Sequence, residues 1–374
     1  MDNLIPKYYK SYGKYVNTEK MIPGVDGLIP VWRRLLYGAY KLARTDYVKS
    51  ATLFGHVVGH WHPHSEDLRG PAQQLVLNNF LIGKGNWGSR IGVEPIECAA
   101  PRYTGIKFND NLKKDFEFIK DVPYVLSELG YEEPAFIPTK IPFCLKGNFD
   151  FVSIGFGIKA CIPSYKEKDL EERLENKKKI ISPLCGGCDI ISSRKEIKNI
   201  LENPGTNKIT IKGKYEVKNS EIILYSWNPR IGFKKIYDNI YEKFQSFTWS
   251  DESKEETKIV FRVNKYRDEF VKILDESVTD EISYNIFYVK EGKIINGSVD
   301  QYLEDCYSYY KLSENAYNAR IAEELRRKEK ENKLLKEIKK KFKIDPNFIS
   351  ALGFEKEFVE DVLSKTNIKA LLEA

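Results

Sequence analysis

From residue 299 to residue 343 the chain contains neither glycine nor proline, the two residues that most readily interrupt a helix. The stretch is charged and helix-favouring, so it predicts a single helix of up to about 45 residues, roughly 65 Å long at the α-helical rise. Pro346 stops it, and the residues from there to Ala374 read as a short helical tail.

The chain ahead of that helix changes character several times. Residues 31–43, 48–59 and 67–79 follow a helical period with short breaks between them, and a glycine-rich, strand-like stretch runs from 81 to 108. Three short helices followed by a wing form a winged-helix pattern, a fold that sets its second or third helix in a DNA groove. Residues 109–180 mix short helices with strands punctuated by Pro134, Pro138, Pro142 and Pro163, and alternation marks 149–155. Residues 208–217, 221–227 and 257–263 read as strands, with a helix over 233–247 among them. The expected fold class is therefore α+β and multidomain: an arm over 1–20, a winged-helix domain over 21–165, an α/β domain over 166–298, and the long helix with its tail over 299–374. In the arm, Tyr8, Tyr9, Tyr12 and Tyr15 recur at near-helical spacing. They either lay an aromatic face on a neighbour or pack a short helix on the chain's own core.

Composition narrows the class without choosing a function. A chain of 374 residues with 42% hydrophobic content can bury two or three cores. The net charge of +6 is compatible with a nucleic-acid partner and does not demand one. No apolar run approaches the roughly 20 residues that span a bilayer, and the first residues lack the apolar region of a signal peptide, so a cytoplasmic location is expected. Six cysteines are scattered through a chain too large to need disulfide staples, and are read as reduced thiols.

The chemistry concentrates at Arg102-Tyr103. A phenol titrates near 10 and is a poor nucleophile at neutral pH, and an adjacent guanidinium that never loses its charge supplies what attack on phosphorus needs. Three further segments precede the pair in order: Gly24-Val25-Asp26-Gly27-Leu28-Ile29-Pro30-Val31-Trp32-Arg33-Arg34, then His62-Pro63-His64, then Gly83-Lys84-Gly85-Asn86-Trp87-Gly88-Ser89. This ordered series resembles the DNA breakage-reunion subunit of type IIA topoisomerases, the gyrase A kind, over roughly residues 16–340. The approach to the glycine turn, Asn78-Asn79-Phe80-Leu81-Ile82, and Ser89-Arg90 after it resemble the medium subunit of T-even-type phage topoisomerases more than bacterial gyrase A.

The resemblance implies that Tyr103 is the nucleophile, with Arg102 and His64 stabilising charge at phosphorus. It implies that Lys20, Arg33, Arg34 and His62 contact the DNA backbone, and that Val152 stands where an isoleucine wedge bends the duplex. It further implies a homodimer on double-stranded DNA, Mg²⁺ held mainly by a partner's acidic Toprim domain, and ATP bound by that larger ATPase partner. A phage-encoded chain would work in the cytoplasm of a bacterial host. The 166–298 region corresponds to the tower of the family. Two positions depart from it, because Ile29 and Trp32 replace a lysine and a histidine common in gyrase A. The short tail predicts a reduced or missing exit gate.

Other readings stand beside this one. The four histidines, His56, His60, His62 and His64, lie close enough in sequence to suggest a metal-dependent nuclease with Glu66 and Asp67. A winged-helix protein that bends DNA without cutting it is the second alternative. The glycines at 83, 85 and 88 fit a dinucleotide fingerprint in letters, but Pro95 and the polar residues after Ser89 argue against the helix that such a site needs. Cys185-Gly186-Gly187-Cys188 reads as a turn carrying two thiols, and the basic stretch 326–343 as a solvated helix face.

Overall fold

The computed structural model describes residues 4–63, 68–218 and 221–341. It divides into one unit over 1–314 and a second over 315–374.

The first unit begins with α1 (Leu4–Val16), which passes directly into a π-helical turn at Asn17–Met21. Three helices follow, α2 (Pro30–Leu42), α3 (Ser50–His60) and α4 (Arg69–Leu77). Pro30 opens α2 at a position where its missing N–H costs nothing. The short strands β1 (Val48–Lys49), β2 (Leu81–Lys84) and β3 (Gly105–Phe108) form an antiparallel sheet with β3 in the middle. Leu35, Leu36, Leu53, Val57, Leu75 and Ile106 come together under this sheet in the larger of two cores.

Beyond it lie two two-stranded pieces and their connectors. β4 (Tyr124–Leu126) pairs with β5 (Glu132–Pro134), the helix α5 spans Phe143–Lys146, and β6 (Phe151–Ile154) pairs with β7 (Lys159–Ile162). The helices α6 (Glu167–Glu175) and α7 (Arg194–Glu202) flank β8 (Asp189–Ile190), and a capping box on Ser193 and Glu196 starts α7.

The stretch expected as one strand over 208–217 is two. β9 (Asn207–Lys212) lies between β8 and β14 (Thr279–Tyr284), whereas β10 (Tyr215–Lys218) belongs to a four-stranded sheet with β11 (Glu221–Leu224), β13 (Ile259–Arg262) and β12 (Thr248–Asp251). Gly213 makes the break. A Cβ there would sit 2.3 Å from the Ser226 carbonyl oxygen, so the chain can cross only where there is no side chain.

The helices α8 (Phe233–Lys243) and α9 (Arg267–Val278) close a second core with the four-stranded sheet, built on Ile222, Phe233, Ile240, Phe261, Phe270 and Leu274. The β8-β9-β14 sheet instead buries Ile209, Ile211, Ile282 and Tyr284 in the first core. The hairpin β15 (Ile286–Lys290) and β16 (Lys293–Gly297) leads into α10 (Val299–Lys341), the long helix that the sequence predicts. Arg173, almost wholly buried, fixes the start of α10 by a two-point bond to Asp300 at 2.9 and 2.6 Å. In the second unit the described residues continue α10 as helix, and the expected tail and exit gate, including the stop at Pro346, lie outside the described residues.

The fold is thus mixed α and β with a long C-terminal helix. Among the described residues no helix is long and apolar enough to cross a membrane.

Candidate nucleophile and nucleic-acid interface

Tyr103 stands at the entrance to β3, between two fixed points. Its N–H donates to the Ala100 carbonyl at 2.9 Å, closing a turn. The next residue, Thr104, is buried and tied to the first residue of α3: its hydroxyl donates to Ser50 Oγ at 2.8 Å, and Ser50 N–H donates to its carbonyl at 3.0 Å. With the backbone held on both sides, the phenol side chain is 70% exposed. The Arg102 guanidinium lies over its ring, 4.8 Å from the centroid. A cation there stabilises negative charge gathering on or beside the phenolic oxygen.

The glycine turn supports this segment. Gly85 has φ +91°, and a Cβ on it would come within 2.9 Å of the Tyr103 carbonyl oxygen. Asn86 caps Gly88 N–H at 2.8 Å with its side chain and accepts from Ala99 N–H at 3.0 Å with its carbonyl. Gln73 on α4 donates to the carbonyls of Trp87 and Ile96, and Trp87 Nε1 donates to Gly105 on β3. No helix follows the turn, so the glycines serve close backbone approach and not a pyrophosphate. Farther along, Val93 N–H donates to Asp251 Oδ2 at 3.0 Å and Gly92 N–H to Thr257 Oγ1 at 3.3 Å, which ties the loop to the four-stranded sheet.

Arg33 and Arg34, both expected on the DNA backbone, are engaged inside the protein. Arg33 grips the fully buried carboxylate of Asp26 through two nitrogens, at 2.7 and 2.9 Å, and donates to the Leu28 carbonyl. Asp26 also accepts from the N–H groups of Leu28 and Ile137. The Arg33 side chain is 14% exposed beside this pair. Gly24 makes room for this knot, since a Cβ on it would lie 2.6 Å from the Arg33 guanidinium.

Arg34 donates to both oxygens of Glu133 at 2.7 Å each and to His62 Nδ1 at 2.9 Å. A guanidinium has no acceptor, so His62 Nδ1 accepts and the ring proton sits on Nε2. Lys20 lies on the π-helical turn with Nζ 5.5 Å over the Tyr15 ring. His64 lies outside the described residues, as do Glu66 and Asp67.

His60 Nδ1 bonds to the His56 carbonyl one turn back in α3, and the two rings stand 4.1 Å apart. Desolvation, followed by the nearby His60 and Lys41, holds the His56 imidazole below its usual pKa. Among the described residues no group of three His, Cys, Asp or Glu side chains is placed to hold a metal ion. Cys185 and Cys188 are buried thiols, pushed up to about 12 and about 11 by desolvation.

Trp32 is buried at the foot of the β6-β7 hairpin, edge-on to Phe151 at 5.6 Å. In place of a phosphate contact it anchors the strand that exposes Val152. A groove of about 610 Å³ opens beside it, lined by Trp32, Gln74, Arg90, Phe149, Val152 and Arg230. Arg90 lies 4.2 Å over the Phe149 ring and Arg230 pairs with Asp150 at 3.1 Å.

Sequence reasoning did not assign Glu133, Asp251 or Asn17, whose roles depend on partners remote in the chain. Asp26 lay within a quoted motif but carried no signal of burial.

The profile of the family formed by the A subunits of DNA gyrase and topoisomerase IV matches residues 21–373. The chain belongs to that family, within the type IIA topoisomerases. The A subunit of DNA topoisomerase 4 from Pseudomonas aeruginosa is 24% identical to it over 274 residues, covering 64% of this chain and 34% of that protein. The A subunit of DNA gyrase from Campylobacter jejuni is 31% identical over 190 residues, 46% of this chain and 21% of its own. The A subunit of DNA topoisomerase 4 from Mycoplasma pneumoniae is 30% identical over 234 residues, 56% of this chain and 29% of its own. The chain thus spans about a third or less of the length of these relatives.

Proposed function

We propose that this chain is the DNA breakage and rejoining subunit of a type II topoisomerase. The observation that carries the reading is the exposed Tyr103 phenol under the Arg102 guanidinium, on a backbone pinned to α3 and the glycine turn, in a chain of the gyrase and topoisomerase IV family.

In the proposed step Tyr103 Oη loses its proton and attacks a DNA phosphorus. The phosphorus–O3′ bond breaks, the departing 3′ oxygen takes up a proton, and the 5′ phosphate stays on Tyr103. One phosphate ester replaces another, so the 3′-hydroxyl can reverse the step without a nucleotide. Arg102 and His64 stabilise the charge gathering on phosphorus, and Lys20, Arg33, Arg34 and His62 contact the backbone, with Arg34 also holding His62 as an Nε2–H donor. Val152 enters the base stack.

On this reading α2, α3, α4 and the three-stranded sheet form a winged-helix domain within 21–165, residues 166–298 form the tower, and 1–20 the arm. The chain works as a homodimer on double-stranded DNA, one Tyr103 per strand, and is of the phage-type medium-subunit kind in a bacterial cytoplasm. The partner is a Toprim/ATPase subunit that holds Mg²⁺ and binds ATP for strand passage. The carboxylates that geometry makes prominent here, Asp26 and Glu133, are already committed to arginines.

The test is to mix the chain with supercoiled plasmid, Mg²⁺ and its partner, quench with detergent, and look for protein-linked DNA ends. Wild type gives linked ends, and Tyr103→Phe gives none while still binding DNA. Free 5′-phosphate ends would instead favour a nuclease. Bending without any linked ends would favour an architectural protein.

A further inference from the structure

Burial alternates from Tyr103 into β3. Thr104, Ile106 and Phe108 are buried, whereas Tyr103, Gly105 and Lys107 lie on the opposite, accessible face. The register of the sheet sets Lys84 of β2 and Lys49 of β1 directly across from Gly105, one on either side, so both lysines belong to the face that carries the phenol. We propose that Lys49, Lys84 and Lys107 form a phosphate-binding row that seats the DNA strand cut by Tyr103, over the phosphates next to the one it attacks. The inference rests on the breakage reading above and adds the residues that hold the strand.

Three observations support it. The first is charge without compensation. The segments that build this face, residues 47–49, 81–84 and 103–107, contain three lysines and neither Asp nor Glu. Among the described residues none of the three lysines pairs with a carboxylate. Strand lysines farther along the chain do the reverse: Lys208 and Lys212 of β9 and Lys218 of β10 each pair with one. Like charges gathered on one face repel one another, and a polyanion from outside relieves them.

The second observation is the shape of the row. Neighbouring strands lie about 4.8 Å apart, and Gly105 puts no side chain between Lys84 and Lys49. Bare backbone therefore forms the floor between two cations. Lys84 leans across that floor, with Nζ 5.8 Å from the ring centroid of Tyr47 at the entry to β1. Tyr47 is half-exposed, and its ring face steadies the ammonium without neutralising it.

Spacing is the third. Gly105 and Lys107 follow Tyr103 by two and four residues, about 6.6 and 13 Å along a β-strand. Phosphates of one DNA strand advance about 3.4 Å each along the duplex axis. The row thus begins within two phosphates of the scissile one and covers about two more. Lysines are point charges that grip phosphate without reading sequence. Placed on the same β-strand as the nucleophile, they keep the end bound to Tyr103 in line for resealing.

The experiment has two parts, both on the full chain. Binding to a short duplex is measured across a salt series, and cleavage with Mg²⁺ and the partner subunit is measured on duplexes in which one phosphate at a time is an uncharged methylphosphonate. Lys84→Gln should lower the slope of log affinity against log salt by about 0.9, and Lys49→Gln with Lys84→Gln by about 1.8. Lys84→Arg should keep the wild-type slope. A methylphosphonate one or two positions from the cut should reduce linked ends in wild type. In Lys84→Gln the yield should already be reduced, with no further loss at that position and continued losses at others. An unchanged thermal unfolding midpoint shows that the variants fold.

A wild-type salt slope in the double variant would overturn the proposal. Equal sensitivity of wild type and Lys84→Gln at every methylphosphonate would also overturn it, since Lys84 would then touch no particular phosphate. Weaker capture of the partner subunit with DNA binding intact would give the face to an acidic protein surface instead. Linked ends from wild type, matched by the variants in every measurement, would end this inference alone. A wild type that forms no linked ends would end the breakage reading, and the salt slopes would still decide whether the row binds DNA.

Discussion

At the scale of single residues, carboxylates decide how the arginines are used. Arg33 and Arg34 are adjacent in sequence and read as a basic pair for DNA, yet neighbours on a helix point about 100° apart. Here one meets Asp26 and the other Glu133. Removing Asp26 leaves the Arg33 charge buried without its partner, so Asp26→Ala should destabilise the chain by about 3–5 kcal/mol in denaturant titration. Arg34→Lys keeps the charge but loses the fork that holds Glu133 and His62 together. It should slow cleavage more than it weakens DNA binding, as comparison of linked-end yield with affinity would show. His56 offers a pH test. Its folded pKa is lowered, so the unfolded chain binds the proton more tightly, and stability is lost as pH falls through the unfolded value of about 6.5 towards the folded one. The midpoint of thermal unfolding should drop over that window, and less so in His56→Gln. The motif letters pointed to Tyr103 and Arg102 because their chemistry is local. They did not point to Glu133, whose use depends on a partner 99 positions away.

At the scale of elements, most helices follow the sequence closely. α2 occupies Pro30–Leu42 against an expected 31–43, and α8 Phe233–Lys243 against 233–247. Periodicity suffices where one face is buried, as for Ile236 and Ile240. It failed at Gly213 because alternation continues across a residue that moves the chain from one sheet to another. In the arm, Tyr9 and Tyr12 contact Phe156 of the same chain and Tyr15 donates to Glu128, while Tyr8, Tyr9 and Tyr12 stay more than half exposed. The loop after the glycine turn is tied to β12 by Asp251, whose carboxylate is held below its usual pKa by bonds from Ser253 and Val93 that outweigh its desolvation. A hydrogen bond to a charged group is worth about 1.5–3 kcal/mol. Asp251→Ala should therefore speed amide exchange at Val93 about tenfold or more, while Tyr103 keeps its bonded backbone.

At the scale of the whole molecule, the described residues of the first unit pack into two cores. The β8-β9-β14 sheet shares its core with α2, α3, α4 and β3, which support the Tyr103 segment, and the four-stranded sheet with α8 and α9 has a core of its own. A burial pattern along the chain cannot show this, because both sheets are built from similar alternating strands. The long helix was the most legible feature, since helix over 299–341 needs only the absence of breakers. The measurement that most directly tests Tyr103 as the nucleophile is to trap the DNA complex, digest the DNA with nuclease and the protein with protease, and identify by mass spectrometry the peptide that carries a nucleotide. The account predicts a 5′-phosphoryl nucleotide on Tyr103 and on no other residue. A nucleotide on a different side chain, or cleaved DNA with none attached, would contradict it.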